Sequence, residues 1–376
     1  MIKDRYVFNW HNFLSGCTGW DEAHWLEWIE RSRKMGYNSI MVHAYFNNPM
    51  HTYSFKGVAK RNGYYATSAI GRDWGCIPMN DIRRLPGGEM FDGPVIGCKA
   101  AMGSEGQAVS SIQSMMKRGF AHAADRGMGI CVAFDADMTL TFVQEDFIRQ
   151  MPAASKFMVQ KGKTGVPNPD TAEGQAYYTA QIKGLITAYP MLTQIGCWVR
   201  GYSWFSEIQP QEFPTDWQKD LSQLTATHSV LKETKPGEVA RAYLVAKIVG
   251  AYEQALKELG RAEIEVVTGS WDTKWFVPTA ILLPHTKLMP IDWDVRNNRS
   301  LIENPKILAD FEKYAPGRVI PFIWTHHDDG QYIGRCYKPA DRLSSKLKQA
   351  GAAGVGVFHW MNRPQDLYFN GSSMSG

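Results

Sequence analysis

Carboxylates, histidines and tryptophans crowd the ends of eight short apolar runs in this 376-residue chain. Trp10, His11 and Asn12 follow the first run, His43 and Tyr45 close the second, and Asp135 and Asp137 close the third. Arg200, Tyr202, Trp204 and Glu207 follow the fourth, and Trp271 and Asp272 the fifth. The sixth ends in Asp292, Trp293 and Asp294, the seventh in His326, His327, Asp328 and Asp329, and the eighth in His359, Trp360, Asn362 and Arg363. Carboxylates held together raise one another's pKa, which costs stability and suits general-acid work. Cleavage of a glycosidic bond needs such a pair, one protonated for the leaving oxygen and one ionised for water or the anomeric carbon. Flat aromatic faces beside them stack on sugar rings.

Within that set Glu207 is the expected acid. It lies in Gly201-Tyr202-Ser203-Trp204-Phe205-Ser206-Glu207, where Trp204 and Phe205 would desolvate the carboxyl and keep it protonated near neutral pH. Asp292 is the expected base, with Asp294 and Asp328 behind it. A nucleophilic Glu on the seventh run is the common retaining plan, but Phe322 to Asp329 holds no Glu. Acid and base on the fourth and sixth runs leave room for a water, which predicts inversion. Expected substrate contacts are Trp10, His11, His43, Asp135, Arg200, Tyr202, Trp204, Trp271, Asp272, Trp293, Asp294, His327, His359, Trp360 and Arg363. Arg200, Lys287, Arg363 and Arg72 are the cations available to a sugar carboxylate.

Two other classes use similar residues. His11, His43, His326, His327, His359 and Asp135 would make a metal shell if they converged, as in metal-dependent hydrolases and sugar isomerases built on barrels. Against this, the first strand lacks His-x-His and no Glu-x-x-His spacing appears, so no metal and no cofactor is expected. A non-catalytic carbohydrate-binding barrel would keep the tryptophans and not depend on the carboxylates.

What must position these residues is a set of strands whose ends face one way. The apolar runs are Tyr6–Phe13, Asn38–Tyr45, Met128–Asp137, Gly196–Trp204, Glu263–Gly269, Lys287–Asp292, Arg318–Thr325 and Gly354–Trp360, each separated from the next by a helical stretch. Alternating strand and helix predicts parallel strands with helical crossovers, and eight units predict closure into an α/β fold, the (β/α)8 TIM barrel. Helices are expected over Asp21–Met35, Val109–Arg126, Ala172–Ala188 and Glu238–Leu259, the last closed by Gly260. A Gly-rich insertion over 46–108, after the second strand, is the one long interruption. No linker divides the chain, so 1–376 is expected to be a single catalytic barrel domain.

Composition narrows the classes further. A 44% hydrophobic share supports a large core, and a net charge of +4 with no run of Lys and Arg gives no phosphate-binding face, so nucleic acid is not expected. Six Cys show no Cys-x-x-Cys pair, and Cys131 and Cys197 fall inside strands as buried thiols would. No apolar run of about 20 residues could span a membrane, and Met1 to Asp4 lead straight into the first strand, so a soluble protein is expected, cytoplasmic, or periplasmic or secreted if a signal peptide was removed. Thirteen Trp exceed what packing usually needs.

At the candidate acid and base the sequence resembles the family 67 α-glucuronidases. Met289-Pro290-Ile291-Asp292-Trp293 is similar to that family's Pro-Ile-Asp-Phe motif, and Thr325-His326-His327-Asp328-Asp329-Gly330-Gln331 to its Thr-Gln-Glu-Tyr-Leu-Gly-Gln segment. Asn9-Trp10-His11-Asn12 is similar to its Asn-Gln-Trp-Asp-Asn strand, and Glu207 matches its acid in order and approximate spacing. The resemblance implies an inverting barrel glycosidase with the base role on Asp292, shared with Asp328 where the family has Glu. The family's N-terminal β-sandwich and C-terminal helical domain have no counterpart in this sequence, so the substrate need not be its α-linked glucuronic acid.

Overall fold

The computed structural model describes residues 2–9, 20–44, 48–60, 62, 105–136, 145–159, 161–162, 164–199, 208–270, 272–291, 304–324 and 343–359. Among the described residues the eight barrel strands alternate with helices, the main ones being α1 to α7: β1 (Asp4–Asn9), α1 (Glu22–Lys34), β2 (Ser39–Ala44), α2 (Glu105–Asp125), β3 (Gly129–Asp135), α3 (Ala172–Ala188), β4 (Gln194–Val199), α4 (Pro236–Glu258), β5 (Glu265–Ser270), α5 (Phe276–Leu282), β6 (Lys287–Pro290), α6 (Pro305–Tyr314), β7 (Phe322–Trp324), α7 (Leu343–Gln349) and β8 (Gly354–His359). All eight strands are parallel and follow the order β6-β5-β4-β3-β2-β1-β8-β7. Parallel bridges between Leu288 and Val319 and between Ile291 and Phe322 join β6 to the β7 segment and close the ring. The fold is the TIM barrel that the alternation predicts.

Alternation along the strands divides the core in two. Val7, Val42, Val132, Ile195, Val266 and Val357 face outward and pack with the helices, while Tyr6, Phe8, Met41, Cys131, Trp198 and Phe322 fill the interior. Six tryptophans serve packing: Trp20, Trp25, Trp28, Trp198, Trp217 and Trp275 are all buried. Among the described residues Cys131 and Cys197 are buried and not in a disulfide. Among the described residues no helix is long and apolar enough to cross a membrane.

Several boundaries differ from the sequence expectation, each for a local reason. Helix α2 starts at Glu105 and not at Val109, because its exposed first turn carries no apolar periodicity, so the insertion is shorter than 46–108. Strand β7 is only Phe322–Trp324, since Pro321 has no N–H for the ladder. Strand β4 begins at Gln194, a polar start hidden from a hydrophobicity reading. Helix α4 stops as expected: Gly260 takes φ +68°, its N–H reaches Lys257 O, and Arg261 N–H reaches Leu256 O at 2.8 Å.

The first part of the insertion is anchored. Tyr189 Oη donates to Met50 O at 2.8 Å, Gln113 Nε2 to Thr52 Oγ1 at 2.7 Å, and Lys60 Nζ to Asn48 O at 3.0 Å. Residues 48–60 are thereby fixed against α2 and α3.

Candidate functional site at the barrel mouth

Near the C-terminal end of the strands the barrel is filled by aromatic rings. Phe8 lies edge-on to Trp198, Phe322 and Phe358, with ring centroids 5.3, 5.4 and 5.1 Å away. Space for them comes from in-strand glycines. A Cβ on Gly269 would stand 2.2 Å from the Trp198 ring, and one on Gly356 2.3 Å from the Phe322 ring. Large residues on some strands and glycine on their neighbours are how the interior reaches close packing.

Two polar residues share the inward side with this floor. Met41 and Cys131 face the interior, so the period-two alternation turns His43 and Asp135 inward as well. His43 is opposite Ala133 in the ladder, and Asp135, the last residue of β3, is opposite Trp198. His43 Nε2 and Asp135 Oδ1 are 2.9 Å apart, and both side chains are fully buried. The two candidate contacts are brought together near the mouth, Asp135 being two residues beyond Ala133, the ladder partner of His43.

The other described candidates point elsewhere. His359 pairs with Asn9 and faces outward, because Phe358 is the inward residue of β8. Trp28 of α1 donates its indole N–H to His359 Nε2 at 3.1 Å, so that nitrogen is engaged in the strand–helix layer. Asp272 is engaged with α4 and with the backbone that follows it. Its Oδ1 accepts from Lys274 N at 3.1 Å, and its Oδ2 pairs with Arg241 of α4 at 2.7 Å. Arg241 is only 3% exposed, and a lone cation in the apolar run Val239–Val245 was the sequence signal for this pair. Lys287 is at the opposite end of the barrel, 3.1 Å from Asp4 and 3.2 Å from Glu265, and its place as first residue of β6 removes it from the cations open to a sugar at the mouth.

Trp10, His11, Arg200, Tyr202, Trp204, Glu207, Trp271, Asp292, Trp293, Asp294, His327, Asp328, Trp360 and Arg363 lie outside the described residues, as do Arg72 and His326. Among the described residues no three His, Cys, Asp or Glu side chains gather as a metal site would require. A groove of about 550 Å³ between α1 and α2, lined by Asp21, Glu22, Ser110, Ser114 and Arg118, is on the helical exterior. Arg118 binds both oxygens of Glu22, at 2.8 and 2.7 Å, and lowers that carboxyl's pKa.

No family model and no curated protein matches the chain. Solved structures similar to it include a GH36 α-galactosidase, AgaA from Geobacillus stearothermophilus, at 10% identity and TM-score 0.48, covering 99% of this chain and 41% of that one. A GH138 enzyme targeting pectin rhamnogalacturonan II is 12% identical with TM-score 0.47, covering 95% of this chain and 34% of the other. A GH18 chitinase from Pseudoalteromonas aurantia is 8% identical with TM-score 0.45, covering 99% and 98%. The chain thus spans well under half the length of the first two. These structural neighbours are glycoside hydrolases, and likeness at this level concerns the fold.

Proposed function

We propose that the protein is a glycoside hydrolase acting on an oligo- or polysaccharide by inversion, with Glu207 as general acid and Asp292 as general base. Asp328 is the alternative base. The observation that carries the reading is the closed ring of eight parallel strands. Closure gives the strands one common C-terminal rim, and that rim is where each of the eight residue clusters begins in sequence. Active sites of this fold are built there. Glu207 protonates the leaving oxygen, while Asp292 takes a proton from the water that attacks the opposite face.

The whole chain, 1–376, is read as one catalytic domain with carbohydrate as its partner. The sequence resemblance to family 67 adds α-linked uronic acids to the substrates worth testing. A screen of aryl glycosides and uronic-acid-bearing oligosaccharides, with the product anomer followed by NMR, tests the reading. The expected result is turnover with inverted configuration, abolished in Glu207→Gln while sugar binding persists. Retained turnover in that variant removes Glu207 as the acid, and a retained anomer removes the inverting mechanism.

A further inference from the structure

We propose that residues 48–60 are an acid-released strap: a proton taken up by His51 detaches this segment from α2 and α3 while the barrel stays folded. The release is independent of the carbohydrate reading and precedes loss of the barrel itself.

The strap's backbone bonds are local. His51 N donates to Asn48 O at 3.1 Å and Lys60 N to Tyr53 O at 2.9 Å, and Ser54–Phe55 pairs antiparallel with Val58–Ala59 in a two-stranded sheet separate from the barrel. Its hold on the helices runs through single contacts: Tyr189 Oη on Met50 O, Gln113 Nε2 on Pro49 O and Thr52 Oγ1, Lys56 Nζ on Glu173, and His51 Nε2 on Gln181 O at 2.9 Å. The strap can therefore leave without breaking a barrel ladder, and segments of that kind open at lower free energy than core strands. Close packing is what it gives up. A Cβ on Gly184 of α3 would stand 2.1 Å from Thr52 O, and Met50, Tyr53 and Phe55 are buried.

His51 is the member of this interface that acid changes. Its ring is 1% exposed and packs on Phe134 of β3 at 4.9 Å and on Tyr53 at 5.4 Å. Nε2 gives its proton to Gln181 O, since a carbonyl only accepts, and Nδ1 is buried with no hydrogen-bond partner among the described residues. A second proton would add both a charge and an unmet donor at Nδ1, and such a group is costly to bury. Around the ring, α2 faces the strap with Gln113, and α3 with Gln181, Tyr177, Tyr189 and, at the far end, Glu173, which Lys56 engages. From α4 comes Tyr252, whose hydroxyl donates to Gln181 Oε1 at 3.3 Å, and from the strap itself Lys60, a like charge. Burial and then Lys60 hold the ring's pKa down to about 3, against the opposing bond to Gln181. Burial also holds Lys60 well below the usual lysine value, so proton uptake there favours release in the same direction.

Once released, His51 takes its ordinary pKa of about 6.5. The seated ring has the lower pKa, so the closed strap is fully favoured above about pH 6.5 and loses ground as pH falls toward 3. Linkage at His51 alone raises the opening constant about tenfold per pH unit in that window, or about 100-fold between pH 7.5 and 4.5.

Hydrogen exchange of the full-length protein at those two pH values, read by mass spectrometry and corrected for the chemical exchange rate, gives opening constants for 48–60, α3 and β3. In wild type the strap should open at least about 100-fold more readily than β3 at pH 4.5, and its own opening constant should rise at least about 100-fold from pH 7.5. His51→Gln keeps a donor for Gln181 and does not titrate, so its rise should be about 100-fold smaller than that of wild type. Equal protection of the strap and β3 in wild type means that the segment opens only with the whole barrel, and overturns the inference even where His51→Gln fails to fold. A wild-type strap whose opening constant does not rise in acid overturns it too, as does a folded His51→Gln with the wild-type rise.

Discussion

Replacing His51 by Gln isolates one buried ring whose titration limits stability in acid. His51 Nε2 is 2.9 Å from Gln181 O, and since a carbonyl only accepts, that nitrogen carries the proton. The ring packs on Phe134 at 4.9 Å and Tyr53 at 5.4 Å. Burial, reinforced by the nearby Lys60 ammonium and opposed by the bond to Gln181, pushes its pKa down to about 3. An unfolded histidine titrates near about 6.5. Below that pH the unfolded chain binds the extra proton, so stability is complete above about pH 6.5 and is lost as pH falls toward 3. Each pH unit in that window costs about 1.4 kcal/mol, which gives about 2 kcal/mol at pH 5. The folded ring is neutral at pH 5 for any folded pKa below about 4, so this figure depends on the unfolded value alone. Gln keeps a donor for Gln181 and does not titrate. Urea unfolding of both proteins at pH 7.5 and pH 5, followed by tryptophan fluorescence, gives the pH dependence of each, and the variant's own loss at neutral pH cancels in the comparison. Wild type should lose about 2 kcal/mol more than His51→Gln between the two pH values. Parallel losses in the two proteins would refute the argument.

Other substitutions test the rest of the barrel. Gly269→Ala drives a methyl to 2.2 Å from the Trp198 ring and 2.7 Å from Met289 O, and overpacking of this kind costs about 1 to 3 kcal/mol, read as a lower denaturant midpoint. Trp28→Phe removes the donor to His359 Nε2 and should cost about 1 to 3 kcal/mol by the same measurement, with sugar binding unchanged because His359 faces the helices. Lys287→Met leaves Asp4 and Glu265 facing each other without their shared cation; partial exposure holds the expected loss to on the order of 1 kcal/mol. Turnover of any glycoside, uronic ones included, should survive Lys287→Met, and a selective loss on uronic substrates would overturn its placement at the far end of the barrel.

Much of the architecture was legible because it is written in local periodicity. Helix α3 coincides with its expected limits, Ala172–Ala188, where the Thr171 hydroxyl accepts from Gly174 N at 3.1 Å as a helix cap does. The candidate site was less legible. Side chains alternate faces with a period of two, so an uncertainty of one residue in a strand's end decides between the mouth and the helical layer. His359 is that case: it was a candidate by its position at the strand end, and the observed ladder, with Asn9 against His359, leaves the inward side to Phe358. The ion pair of Asp272 was not legible either, because Arg241 is 31 residues earlier on another element.

The sequence by itself determined the eight alternating units and the chemical character of their ends, since strand and helix periods are properties of neighbouring residues. It also placed His43 and Asp135 at consecutive barrel strands. Only the tertiary structure decided that these two meet at 2.9 Å, that the rings of Phe8, Trp198, Phe322 and Phe358 close the interior beneath them, and that Lys287 serves the other end. Contact between strands depends on register and closure, and the pairing of β1 with β8 joins Asp4 to Gly354 across nearly the whole chain.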